Sequence, residues 1–200
     1  MPSPYNEIQL DALRELANIG SGNAATALSQ MLGEDVELQV PRALALPLAD
    51  AVDAAGEADA VVAGVVLTIV GRLDAIVLLL IPQADAEILC RLNGVEVGTE
   101  VGDSALAEIG NILGTSYLNA LASMTGLELL PSPPQLCTDL LAAIVASLLA
   151  QTAVETDTAL LLDSELRLAD QACSLSFMLI TTAAMVSELL APLGLAESAG

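Results

Sequence analysis

Apolar positions near the start of the chain follow a helical rhythm. Over residues 8–32 they recur at steps of three and four, which predicts a long helix. We expect Gly20 and Gly22 to interrupt it, because glycine is a weak helix former. A strand is predicted over residues 36–46. Since Pro41 inside it cannot donate a hydrogen bond to a neighbouring strand, this strand is expected at a sheet edge or bent there.

The later apolar runs of the first half are shorter and are separated by polar or glycine-containing turns. They predict a short acidic helix at residues 48–58, a hairpin made of 61–70 and 75–81, and a helix at 83–92. The run at 140–150 is shorter than the ~20 residues that a membrane-spanning helix needs. No transmembrane helix is predicted.

The second half repeats this order of elements. Its predicted elements are a helix at 104–124, a strand at 127–130, a helix at 139–151, a hairpin at 158–166 and 172–180, and a helix at 182–191. The pattern predicts an α+β fold built from a duplicated helix–strand–hairpin–helix unit with pseudo-two-fold symmetry, its helices packed on a shared, mainly antiparallel sheet. We expect residues 1–200 to form a single domain of two repeats, at about 5–95 and about 99–194.

The duplication can be checked residue by residue. A shift of 93 positions aligns residues 11–41 with residues 104–134 and gives 10 identities in 31 positions without a gap. Chance would give about three in a chain so rich in Ala and Leu. Most identities are apolar residues or glycine and concern packing, but two are polar, a Glu and, three positions later, an Asn. Each half therefore contains one Glu/Asn pair, Glu15 with Asn18 in the first and Glu108 with Asn111 in the second.

Each polar pair is spaced by three residues, so its two side chains share one face of a predicted helix. An Asn side chain can hold a water molecule through both its donor and its acceptor. Transfer of a phosphoryl group to water needs mainly such positioning, together with a metal that stabilises charge. The carboxylate could pair with a cation. The chain itself has five Arg and no Lys. We therefore expect a partner protein to supply both a lysine that pairs with the carboxylate and the metal.

The residues around each pair resemble the signature of the CheC/CheX/FliY chemotaxis phosphatases, D/S-x3-E-x2-N-x22-P. The two copies of the signature are Asp11, Glu15, Asn18, Pro41 and Ser104, Glu108, Asn111, Pro134. The resemblance implies an enzyme, a hydrolase that acts on phosphorylated CheY, a response regulator. It implies that the two Glu residues bind the regulator's active-site lysine and that the two Asn residues orient the attacking water. It also implies no cofactor of the chain's own, since Mg²⁺ would be supplied by the regulator.

Two intact copies of the signature resemble CheC more than CheX, and FliY is disfavoured because no FliN-like extension follows residue 200. CheC relatives also bind the receptor deamidase CheD through a helix in the second half. The matching segment here is the apolar helix predicted at 139–151. The resemblance therefore implies that Asp139, Leu140 and Ile144 bind CheD.

Charge and composition narrow the remaining function classes. The formal net charge of -21, with 26 acidic residues, would repel nucleic acid and anionic membranes. The absence of His excludes His-based catalytic triads and His-ligated metals. The three cysteines fit no metal spacing and are expected to be reduced thiols in a cytosolic protein. No signal peptide is recognised, so the chain is expected to be cytoplasmic, and its duplication suits a monomer.

Two alternatives to a phosphatase stay open. The first is a non-catalytic binding module similar to the middle domain of the flagellar switch protein FliM, which is expected to share the fold without the Glu/Asn pairs. The presence of both pairs disfavours it. The second is a protein that mainly regulates CheD and has slight phosphatase activity.

Overall fold

The structure is a computed structural model that describes residues 7–71, 75–151, 157–168 and 171–191. The helices and strands in chain order are α1 (Glu7–Leu32), β1 (Val36–Pro47), α2 (Leu48–Ala55), β2 (Val61–Gly71), β3 (Ala75–Pro82), α3 (Gln83–Leu92), α4 (Glu100–Thr125), β4 (Leu129–Pro131), β5 (Gln135–Leu140), α5 (Leu141–Gln151), β6 (Thr158–Leu168), β7 (Gln171–Thr181) and α6 (Ala183–Leu190). None of the helices within these ranges combines the length and the hydropathy of a transmembrane span.

Strands from both halves form one seven-stranded sheet. Its order is β1-β6-β7-β3-β2-β4, with β5 also paired to β2, and every pairing is antiparallel. In the repeat, β1, β2 and β3 correspond to the β4–β5 edge, β6 and β7. Exchanging the corresponding strands reverses the order of the sheet, so a pseudo-two-fold axis runs between the central strands β3 and β7. The predicted α+β fold with a duplicated, pseudo-symmetric unit is confirmed. Each outer strand pairs with a hairpin strand of the other half, so the halves interlock.

Both outer strands are irregular at the same place in the repeat. In β1 the pairing with β6 slips by one residue between Gln39 and Arg42, which confirms the bent edge strand predicted around the proline there. In the second half, β2 changes partner between Pro131 of β4 and Gln135 of β5. Arg42 and Gln135 are 93 positions apart, so both outer strands resume pairing at equivalent residues.

The sheet is covered on both faces. One face, which includes Val65 and Leu67, packs against α1, α3, α4 and α6 in the larger core. The opposite face, which includes Val62 and Val66, packs against α2 and α5 in a smaller core. Alternate residues of β2 therefore enter different cores, as a pleated strand requires. This arrangement places α1 and α4 on one side of the molecule and α5 on the other.

Two of the predicted elements are corrected by the structure. Helix α1 is continuous, so the prediction that Gly20 and Gly22 interrupt it is wrong. A helix was predicted from residue 139, but residues 135–140 form β5 and the helix begins at Leu141. Strand β5 lacks clear alternation of apolar and polar residues, and its pairing partner β2 lies in the other half of the chain. Local sequence therefore carried little sign of it.

Candidate functional site

The two helices that carry the Glu/Asn pairs are equivalent in the repeat. Helices α1 and α4 each have 26 residues, and their bounds differ by 93 positions at both ends. They pack against each other on the same face of the sheet. A Cβ built on Gly20 of α1 would lie 2.4 Å from Cδ1 of Tyr117 of α4, so this glycine permits the close approach of the two helices.

In the first half, Glu15 and Asn18 project from α1 into solvent. Both residues are exposed, whereas Leu16 and Ala17 between them are buried in the larger core. Within the described ranges, neither side chain has a hydrogen-bond or ion-pair partner in the chain. The Asn18 backbone oxygen accepts a hydrogen bond from the Ser21 hydroxyl at 2.9 Å, which leaves the Asn18 side-chain amide uninvolved. Both functional groups are therefore free to bind something outside the chain.

In the second half, Glu108 and Asn111 occupy the same positions on α4. Glu108 is exposed and Asn111 is half-buried, while Ile109 and Gly110 between them are buried. The backbone oxygen of Asn111 accepts a hydrogen bond from Thr115 Oγ1 at 2.6 Å, and the described part of the chain contains no partner for either side chain of the pair. The second asparagine is thus less accessible than the first.

The charge around the two pairs also differs. In the first half, the Arg14 guanidinium pairs with the Asp11 carboxylate beside Glu15, and both members of this ion pair are exposed. The equivalent positions in the second half hold Ala107 and Ser104, so that site has no such cation. Among the residues that the structure describes, no cluster of three or more His, Cys, Asp or Glu side chains could hold a metal ion. The arrangement offers a carboxylate to a cation and an amide to a water molecule.

The cysteines do not provide a nucleophile near these helix faces. All three are free, and Cys90 and Cys173 are buried. Burial, with a smaller contribution from Asp85, raises the pKa of the Cys173 thiol to about 11. Burial likewise raises the pKa of Cys90 and of Cys137. At neutral pH these groups are thiols rather than reactive thiolates.

Of the residues predicted to bind CheD, Ile144 lies on the opposite face of the sheet from the Glu/Asn pairs, whereas Asp139 and Leu140 lie at the end of strand β5. Asp139 is exposed at the end of β5, where its Oδ1 accepts a hydrogen bond from the Leu140 amide at 2.7 Å, and Leu140 is 41% exposed. Ile144 is only 3% exposed and packs next to Gly64 of β2 in the smaller core. Its assignment to a partner-binding surface was wrong, because its side chain is enclosed between α5 and the sheet.

Sequence reasoning did not single out two exposed aliphatic residues on the same helices. Ile8 on α1 is 67% exposed and Val101 on α4 is 63% exposed. They are 93 positions apart, so they are equivalent in the repeat. The same shift of 93 positions, extended by three residues toward the N-terminus, pairs them. Their exposure could be read only from the tertiary structure.

Comparison with known proteins identifies the family. The model of the CheC-like family matches residues 8–44 and 101–137, two segments that are again 93 positions apart and that each contain one Glu/Asn pair. A protein of Bacillus subtilis (strain 168) named CheY-P phosphatase CheC is 34% identical over 168 residues, which cover 80% of each chain. This chain belongs to the CheC-like family. The resemblance stated from the repeated signature is therefore confirmed.

Solved structures agree with the CheC-like fold. Thermotoga maritima FliY matches with a TM-score of 0.75 at 20% identity, covering 97% of the CheC-like chain and 100% of that one. The FliM middle domain from H. pylori matches with a TM-score of 0.70 at 11% identity, covering 94% and 99%. At these identities the matches show a shared fold alone. The fold by itself therefore assigns no function to this chain.

Proposed function

We propose that this CheC-like chain hydrolyses the aspartyl phosphate of a CheY-type response regulator, acting as a cytoplasmic monomer. The observation that carries the proposal is the pair of Glu/Asn side chains that project, without partners in the described chain, from equivalent turns of α1 and α4. The B. subtilis relative supports the substrate, since its name describes a phosphatase of CheY-P. The duplication would supply two sites in one chain.

In the proposed reaction, Asn18 or Asn111 holds a water molecule in line with the phosphorus through its amide donor and acceptor. The water attacks phosphorus, the bond between phosphorus and the aspartyl oxygen breaks, and the products are the aspartate carboxylate, inorganic phosphate and a proton. Glu15 or Glu108 accepts hydrogen bonds from a lysine ammonium of the regulator and so aligns the two proteins. The regulator would supply the Mg²⁺ that stabilises charge on the phosphoryl group.

The proposal is tested by phosphate release from phosphorylated response regulators in the presence of Mg²⁺. We expect the chain to accelerate release from at least one CheY-type regulator above that regulator's own rate. Several regulators and several salt concentrations should be used, because a net charge of -21 makes encounter sensitive to ionic strength. A chain that accelerates release from none of them would exclude the phosphatase and favour a binding role.

The Glu residues should act on affinity rather than on chemistry. We expect the double variant Glu15→Gln/Glu108→Gln to raise KM about three- to tenfold while kcat changes little, because an exposed ion pair contributes roughly 1 kcal/mol. The measurement is KM and kcat for phosphate release at low and at moderate salt.

A matched control for this variant is Glu34→Gln/Glu128→Gln. It makes the same change in net charge at two exposed acids outside the helices. We expect its KM to stay close to that of the wild type. Equal increases in KM for the two double variants would mean that only overall charge matters, which would contradict lysine binding by Glu15 and Glu108.

CheD binding is a second candidate role, favoured by the exposure of Leu140 beside Asp139. If this edge binds CheD, Leu140→Ser should weaken binding about fivefold or more, because an aliphatic contact would be lost. Titration calorimetry with purified CheD measures the effect. Leu130→Ser is the control, since Leu130 is 57% exposed but lies on β4. Unchanged affinity for Leu140→Ser, or no binding by the wild type, would exclude this contact.

A further inference from the structure

Ile8 and Val101 are the most exposed large aliphatic residues in the part of the chain that the structure describes. Isolated exposed aliphatic residues are common on protein surfaces and need no explanation by themselves. These two, however, occupy equivalent positions in the repeat, on the two helices that carry the Glu/Asn pairs. Similar exposure at equivalent positions points to a role that both sites share.

Helix geometry places each aliphatic residue in line with the Glu of its own site. Ile8 precedes Glu15 by seven residues, and Val101 precedes Glu108 by seven. Seven residues are close to two turns, so each aliphatic side chain points within about 20° of its Glu and lies about 10 Å away along the helix axis. The aliphatic residue and the Glu/Asn pair therefore form one continuous outward stripe on each helix.

A second aliphatic residue continues the stripe beyond the Glu. Ile19 and Ile112 directly follow the two asparagines, and Ile19 is exposed whereas Ile112 is partly buried. Each isoleucine lies four positions after its Glu, which is about one turn of the helix. On α1 the carboxylate of Glu15 thus lies between two exposed aliphatic side chains, Ile8 and Ile19. Ile8 and Ile19 are eleven positions apart, close to three turns, so their side chains lie on one face of the helix.

We propose that Ile8 and Val101 dock against apolar side chains at the rim of the regulator's phosphorylation site. This inference rests on the proposed function, because the regulator is the occupant it assigns. Continuity with the Glu/Asn pairs supports that occupant, since a partner that contacts both Glu and Asn extends over the same stripe. A second copy of the chain is disfavoured, because two molecules of net charge -21 repel each other.

Apolar docking also explains how so acidic a chain would retain a partner. Charge on exposed groups mainly steers encounter, and it is weakened by salt. Removal of apolar surface from water is not screened in that way and mainly slows dissociation. Ile8 and Val101 would therefore contribute to affinity at physiological salt, whereas the Asn residues would contribute to the rate of hydrolysis.

The test measures binding and chemistry separately, one site at a time. Ile8→Ser is made in a chain whose second site is disabled by Glu108→Ala/Asn111→Ala, and Val101→Ser in a chain disabled by Glu15→Ala/Asn18→Ala. The probe for Kd is a CheY-type regulator loaded with beryllofluoride and Mg²⁺, and phosphate release supplies kcat. We expect Kd to rise about fivefold in each case, as for partial burial of one aliphatic side chain, with kcat unchanged. The control is Leu130→Ser, for which Kd should not change.

The outcomes separate this inference from the proposed function. A Kd within twofold of the parent for both variants overturns the docking role and leaves the phosphatase standing. A fivefold rise in Kd without any acceleration of phosphate release supports docking and overturns the phosphatase. A wild-type chain that does not bind the regulator overturns both. The wild-type chain could also sediment as a dimer that the double variant Ile8→Ser/Val101→Ser converts to a monomer. The surface would then bind a second copy of the chain, and the inference would again be overturned.

Discussion

The double variant Asn18→Ala/Asn111→Ala is expected to lose about a hundredfold or more of the acceleration of phosphate release, with little change in affinity for the regulator. The reason is that an attacking water held in line by an amide becomes free to leave that geometry, and misplacement of a reacting group by about 1 Å costs on the order of 10² in rate. The measurement is kcat and KM for phosphate release with Mg²⁺.

The single variants should rank the two sites. Asn18 is exposed and Asn111 is half-buried, so the Asn18 side chain is more accessible to a partner. If both sites work independently, each single variant removes its own share of the rate and the shares add to the total. The larger loss then identifies the dominant site.

The control for this experiment uses two other exposed asparagines on the same helices. Asn23→Ala/Asn119→Ala makes the same chemical change on α1 and α4 outside the Glu/Asn pairs, and it should leave kcat close to the wild-type value. Retention of the full rate by Asn18→Ala/Asn111→Ala would show that these amides do not position the water. The proposed mechanism would then be wrong even if the chain is a phosphatase.

Alanine substitutions at two glycines of α1 are expected to change stability in opposite directions. For Gly20→Ala, the new Cβ would lie 2.4 Å from Tyr117 Cδ1 and 3.1 Å from Tyr117 Cα, so the helices must move apart. Overpacking of this kind costs about 1–3 kcal/mol. Gly22 is exposed, and a Cβ there would meet nothing within 4 Å. Gly22→Ala should therefore stabilise the chain by about 1 kcal/mol, the difference in helix propensity.

Urea unfolding measures both changes in the free energy of unfolding, and an unchanged m-value would show that the denatured state is the same. Each variant is the control for the other, since the residue types, the helix and the substitution are identical. A stabilising Gly20→Ala would mean that α1 and α4 are less closely packed around Tyr117 than the structure shows. The relative position of the two candidate sites would then have to be revised.

Several features of the fold followed from the sequence because they depend on neighbouring residues. Helices α1 and α4 were predicted from apolar spacing, and the bent edge strand was predicted from Pro41. The duplicated α+β unit followed from comparison of the chain with itself at a shift of 93 residues. The roles of Glu15, Asn18, Glu108 and Asn111 stay predictions, which the measurements of phosphate release test.

Other features depended on which distant segments meet. Strand β5 is a strand because β2, from the other half of the chain, offers it backbone hydrogen-bonding groups. Ile144 is enclosed because α5 lies over Gly64, a position more than seventy residues earlier in the sequence. Gly20 and Gly22 differ in environment because Tyr117 of α4 packs against Gly20 and not against Gly22.

The family signature, the duplication and the helices that present each Glu/Asn pair could be read from the chain alone, since each depends on local spacing or on internal similarity. The exchange of outer strands between the halves, the burial of Ile144 and the exposure of Ile8 and Val101 emerged only in the folded molecule. Burial and sheet pairing depend on contacts between segments far apart in the chain, whereas helical periodicity is complete within a few turns.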